Sequence, residues 1–444
     1  MTEPAFIHTS RLIVDLEDLM ALIGQADRRS GYDPIVRRIA AMMEARGLTT
    51  EVFTSAGAPI VIGRRAGRSP YTLLLYHHYD VAPAGPWRHW HQDPYLLAER
   101  DGVLYGRGVS EGIGPLVTQL NALAALIEIE HELPCEIVMV VEGEQLIGSP
   151  ALAGMPRIAA DAVLAVGGEL DARGVPFCYA ASKGFVQVLL EARGARSPLL
   201  TGMAASVGNP LWQIVWALGA IKNDQEEVLI DDFYDSVTGP TREESRLLRA
   251  VTLDEAARHR ALGTTAFVAG LTGMALIQAE TTLPTCNVSA ITFEPEGDLA
   301  RIPTRASARV DFTLVPAQSP ELVVSQTRAH LATRSLGDVQ VLVLPGGYSA
   351  AAGRTDDPFV RTVCGAICQI VGAMPTLLPC APLQLPLTLL CSEPQPPVVV
   401  IGFATLESAP FGANEHIALG ALVRHGQLLI ELLYSLVPPA DVPT

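Results

Sequence analysis

The chain has 444 residues, 49% hydrophobic and only 18% charged, with a formal net charge of −16. That length exceeds one typical core and predicts two domains, and the acidic balance disfavours nucleic acid, whose phosphates are recognised by Lys and Arg. No uninterrupted apolar run reaches the roughly eighteen residues that a membrane span requires. The N-terminus MTEPAFIHTSRL lacks a basic region followed by an apolar stretch. Seven cysteines without a repeating spacing point to reduced thiols. A cytoplasmic protein with a small-molecule substrate or ligand, and neither a nucleic-acid nor a membrane partner, is the expectation.

Two amphipathic helical patterns come first, LIVDLEDLMALI and DPIVRRIAAMMEARG, the second opened by Asp33-Pro34 and closed by Gly47. Short strands at 51–53 and 59–62 lead to the apolar run 73–75. A helix over 115–129 stops before Pro134, and 136–141 reads as a strand buried on both faces. This alternation predicts an α/β domain built on a doubly wound, mostly parallel sheet, with functional loops at the carboxyl ends of its strands. From Lys183 the pattern changes. A period-two strand, GFVQVLLEARG, precedes a helix from Pro210 to Ile221, an acidic loop, a helical stretch over 242–261, and strands at 287–293 and 306–315. Residues 345–358 read as a return linker, 357–371 as a helix, and the terminal VPPADVPT as a loose tail.

The chemistry concentrates in residues 73–126. His78 and Asp80, two apart, leave the same face of a strand end. A carboxylate beside an imidazole fixes its tautomer and raises its basicity. The turn Tyr105-Gly106-Arg107-Gly108 then places Glu111 at the mouth of the next helix. This segment resembles the signature of the dinuclear zinc amidohydrolases and metallopeptidases: aminoacylase, acetylornithine deacetylase, succinyl-diaminopimelate desuccinylase, carnosinase and carboxypeptidase G. The resemblance assigns His78 to a zinc ligand, Asp80 to its support, and Glu111 to the bridging carboxylate, where Asp is usual. Ile113 stands where a Lys normally follows.

Elsewhere the resemblance meets substitutions. In EGEQLIGSP (142–150) the general base is matched by Gln145 and a zinc ligand by Leu146; a carboxamide accepts no proton at useful pH, and leucine has no lone pair. The next ligand position falls on Gly167, with Glu169 the nearest substitute. The last falls on Phe411 in Phe-Gly-Ala-Asn-Glu, where His416, five residues on, is out of register. The resemblance further implies that 183–346 is an inserted α+β lid, leaving 1–182 and 347–444 as the catalytic domain. In such lids a His crosses the dimer to the oxyanion; Leu200 takes its place. Thr313 replaces a carboxylate-clamping Arg, and Cys380 and Leu383 lie in the altered substrate loop. Asn287 keeps a family-like position. Family lids dimerise through an edge, so strand 184–191 and the helix bearing Trp212 and Trp216 are expected to be covered in a homodimer.

A zinc hydrolase needs at least three protein ligands and an open position for water. His78 and Glu111 make two, so no metal cofactor is expected. Apolar replacements around a retained His–carboxylate group suggest a metal-independent enzyme catalysing proton transfer, cyclisation or condensation on an amide- or amino-acid-derived molecule. His78, Asp80 and Glu111 would be catalytic, with Gln145, Leu146, Asn287, Phe411, Leu200 and Cys380 on the substrate. A non-catalytic pseudo-enzyme that binds a ligand or partner is the alternative, with His78 and Asp80 a relic pair. A zinc hydrolase with Glu169 and Glu144 as relocated ligands is a third. His77, His89 and His91, near Trp87 and Trp90, read as packing or surface groups, and Cys380 equally as a small buried hydrophobe.

Overall fold

A computed structural model describes residues 7–25, 31–55 and 57–437; the tail from 438 lies outside the described residues. An eight-stranded sheet organises the fold, in the order Thr49–Phe53, Ile60–Arg65, Leu133–Glu142, Gly67–His78, Ala162–Val166, Val398–Ile401, Phe177–Tyr179, Thr376–Leu378. The strands Leu133–Glu142, Gly67–His78, Ala162–Val166 and Val398–Ile401 run parallel at its centre. Side chains alternate across the sheet: Leu73 and Leu75 enter one apolar cluster, Leu74 and Tyr76 the other. Both faces are therefore buried, which is why this run is continuously apolar.

One face is covered by Thr9–Gln25, Ile113–Glu130, Pro358–Val371 and Leu419–Leu436. Ile113–Glu130 is long and apolar enough to cross a membrane by composition, yet it is largely buried in this core. Gly112, in the left-handed region at φ 74°, starts it; a Cβ there would come within 3.1 Å of the His78 ring. The positive φ favours glycine there, and the close approach of the His78 ring adds to it.

The second sheet is antiparallel, ordered Thr285–Glu294, Arg305–Leu314, Ser182–Arg193, Gln340–Val343, with Ala381–Gln384 joining Ser182–Arg193 in parallel. The strand expected to need covering at a dimer edge, 184–191, is instead central. Its apolar face packs on Pro210–Ile221 and Pro320–Thr333 through Val186, Val188 and Leu190. The exposed edge is Thr285–Glu294. The helical stretch expected over 242–261 is two helices, Arg242–Ala250 and Glu255–Leu262, each with its own N-cap, Thr241 and Asp254. Leu248 and, from the unanticipated helix Gly273–Thr282, Ile277 join the apolar cluster of the large sheet rather than that of the small one.

Candidate functional site

His78 ends its strand at the carboxyl rim, and Asp80 follows as the backbone leaves the sheet. His78 Nδ1 lies 3.1 Å from Asp80 Oδ1 and 3.0 Å from the Asp80 carbonyl. Both are acceptors, so Nδ1 carries the proton and Nε2 is the ring atom left for other work. Asp80 Oδ2 accepts the Leu146 N–H at 2.9 Å, tying the 145–147 turn to the same carboxylate. Burial opposes the His78 imidazolium, but the hydrogen bond to Asp80 and the charges of Asp80, Glu111 and Glu142 outweigh it and push its pKa up to about 9. Glu111 is raised mainly by burial and further by Asp80, with His78 and Arg107 opposing.

Five of the residues anticipated from sequence line one small cavity: His78, Asp80, Glu111, Leu146 and Phe411. It is partly open and has room for about one water molecule. Gln145 is buried beside it, its Nε2 donating to the Gln384 carbonyl at 3.1 Å. Other residues are not brought there. Leu200 is 78% exposed, and Asn287 sits on the outer strand, within 3.4 Å of Asp311. Cys380 is buried, and burial lifts its thiol to about 12 against the influence of Lys183, which suits packing rather than nucleophilic attack. His416 turns away to stack on Tyr105 at 5.3 Å. Asn414 braces the loop of His89 and His91 through both backbones.

Glu169, the expected replacement donor, is engaged elsewhere. Its Oε1 accepts from Arg258 at 2.8 Å, and Arg258 also clasps Glu280. It lines a separate cavity with Phe177 and Leu253. At Gly167 a Cβ would come within 3.1 Å of Leu383 Cδ2, a tight contact with the end of an apolar side chain. Among the described residues, no three His, Cys, Asp or Glu side chains are grouped as a metal would require.

Two supports escaped the sequence reading. Arg107 and Glu415 form a buried ion pair at 2.8 Å. Arg107 also donates to the carbonyls of Pro410 and Gly412, and Glu415 accepts from Gly108 N, Ser110 N and Ser110 Oγ. The Phe411 loop is thereby pinned against the Gly106–Gly108 turn. Gly-Arg-Gly and Asn-Glu were both visible motifs; nothing in their spacing announced the pairing. Behind His78, His77 bonds Gln119 at 2.9 Å, and Gln119 reaches His425 at 3.1 Å.

Residues 74–435 match the model of peptidase family M20/M25/M40. The chain belongs to that family. The human beta-Ala-His dipeptidase is 26% identical over 337 residues, covering 72% of this chain and 66% of that relative, just under two thirds of its length. The Cys-Gly metallodipeptidase of Saccharomyces cerevisiae is 25% identical over 288 residues, 61% of this chain and 59% of that protein. Among solved structures, an M20 family metallo-carboxypeptidase from Sulfolobus solfataricus superimposes with a TM-score of 0.84 at 25% identity, over 96% of this chain and 98% of that one. Human carnosine dipeptidase 1 superimposes with a TM-score of 0.81 at 20% identity, over 97% of each chain. The zinc pair implied by the family resemblance does not fit the donors present: Leu146, Gly167 and Phe411 offer none.

Proposed function

We propose that this family member recognises a dipeptide-like or amino-acid-derived amide at the sheet rim around His78 and acts on it by metal-independent proton transfer. His78 is the acid–base group, Asp80 holds its tautomer, and Glu111 sets the local charge. The carrying observation is the His78–Asp80 hydrogen bond in a cavity also lined by Leu146 and Phe411, which offer no donor atom. The small-peptide class is taken from the relatives' names. A cytoplasmic setting belongs to the same proposal and agrees with the seven free cysteines.

A second reading, a non-catalytic subunit that acts through a partner, is favoured by the little room beside His78, about that of one water molecule. His78→Ala separates the two. In the enzyme, it is expected to abolish turnover of the ligand with little change in melting temperature. In a relic pair it leaves Asp80 without its partner and costs roughly 1–3 kcal/mol. Unchanged turnover with a clearly lowered melting temperature would defeat the catalytic reading.

Purified protein is expected to carry well under one equivalent of zinc and to keep its ligand affinity after chelation. Two equivalents by plasma emission spectroscopy would contradict the assignment outright.

A homodimer completes the proposal. Trp212 and Trp216 stack at 6.1 Å while more than half exposed, and Val288 and Ile291 face outward on the edge strand. Light scattering at micromolar concentration is expected to give twice the 47.3 kDa chain mass; a monomer mass would refute the dimer.

A further inference from the structure

Five of the side chains that line the cavity beside His78 can carry charge, and four of them are paired with one another. His78 lies 3.1 Å from Asp80, and Arg107 lies 2.8 Å from Glu415. Glu111 is the charge that remains. The cation nearest to hand for an incoming carboxylate, Arg107, is already balanced by Glu415 and donates through Nη1 and Nη2 to the carbonyls of Pro410 and Gly412. A free carboxylate would therefore meet one like charge and, among the described residues of the lining, no cation without a counter-ion.

The rest of the lining is apolar, with Val81, Leu146, Pro410 and Phe411 its larger members. Phe411 stands out among them. Its backbone is held on both sides, because the carbonyls before and after it are the two that Arg107 binds, yet its ring is 62% exposed. A scattered exposed hydrophobe needs no explanation, but this one is fixed in place at the mouth of the cavity that His78 lines. The interior has room for about one water molecule and so admits a reacting atom, not a side chain. A substituent next to that atom is left outside, where the ring offers it a flat apolar surface. An aromatic already fixed by its backbone loses little freedom when it is covered.

We propose that Phe411 is a specificity-determining residue, and that the molecule bound at His78 is a neutral amide with no free carboxylate beside its reacting group and with an apolar side chain that covers the Phe411 ring. The charge inventory supplies the first half of that description and the exposed, braced ring the second. This selectivity rests on the rim around His78 being a site for amino-acid-derived amides, and it names which of them are preferred.

The test is calorimetry with three probes, N-acetyl-phenylalanine amide, N-acetyl-phenylalanine and N-acetyl-glycine amide, on the wild-type chain and on the Phe411→Ala and Phe411→Trp variants. Wild type is expected to bind the phenylalanine amide at least about tenfold more tightly than either of the others. Phe411→Ala is expected to cut the preference over the glycine amide to below about threefold and to keep the preference over the carboxylate, which depends on charge and not on the ring. Phe411→Trp should restore the first preference. The melting temperature of Phe411→Ala should stay level, because the ring is mostly exposed; a merely structural ring would move stability and leave selectivity alone. Wild-type affinity that is equal for the phenylalanine amide and either other probe, or a side-chain preference that survives Phe411→Ala, overturns the proposal and leaves the amide-site reading standing. Failure of wild type to bind any of the three at millimolar concentration overturns both together.

Discussion

Arg107→Met is expected to lower folding stability by roughly 3–5 kcal/mol, the range for removing one member of a buried ion pair. Glu415 is fully buried, and burial already pushes its carboxyl up to about 7, although the Gly108 and Ser110 groups and Arg107 all favour its charge. Taking Arg107 away leaves that carboxylate to be protonated or exposed. It also frees the Pro410 and Gly412 carbonyls and removes the guanidinium lying 5.1 Å from the Trp90 ring centre. The Phe411 loop should loosen with it. Urea denaturation reads the loss, and a cost below about 1 kcal/mol would show that the pair does not hold the loop. Adding Glu415→Gln to Arg107→Met should recover part of the loss, since the orphaned charge goes with its partner.

Stability is expected to be greatest between about pH 4.5 and 6.5 and to fall toward pH 8, by roughly 2–3 kcal/mol. Burial raises Glu142 to about 8, against its bonds from Tyr76 and Ser149, and Glu415 to about 7. A group whose pKa is raised by folding contributes fully below its unfolded value, here 4.5, and loses that contribution as pH climbs through the folded value. His77 and His425 run the other way. Burial lowers them to about 3 and about 4, Gln119 partly opposing at His77. Their contribution is complete above 6.5 and disappears as pH drops through 4 and then 3. Together these groups leave a plateau on the mildly acidic side. A melting temperature higher at pH 8 than at pH 6 would reject this balance.

Much of the frame was legible because apolar periodicity records burial directly. The run around Leu73–Leu75 and the helix Pro210–Ile221 announced themselves that way. Strand 184–191 did not reveal its place, since period-two alternation tells which face is buried and not which neighbours flank the strand. At the site, local spacing carried His78 and Asp80, whose contact spans two residues. Partners far apart in sequence were hidden: Arg107 and Glu415 lie 308 positions from each other, and Glu169 reached Arg258 across 89. That Leu146 and Phe411 offer no donor atom was visible from side-chain chemistry alone. That Leu383 lies close above Gly167 required three dimensions.

The position of Leu383 bears on what a single substitution at Gly167 would achieve. An acidic residue at Gly167 would bring its Cβ within 3.1 Å of Leu383 Cδ2, a close approach that Leu383 relieves by shifting a few tenths of an ångström. Relief of that contact would gain nothing by itself. An acidic side chain at position 167 alone would therefore not assemble a coordinating set, because Leu146 and Phe411 beside His78 offer no donor atom.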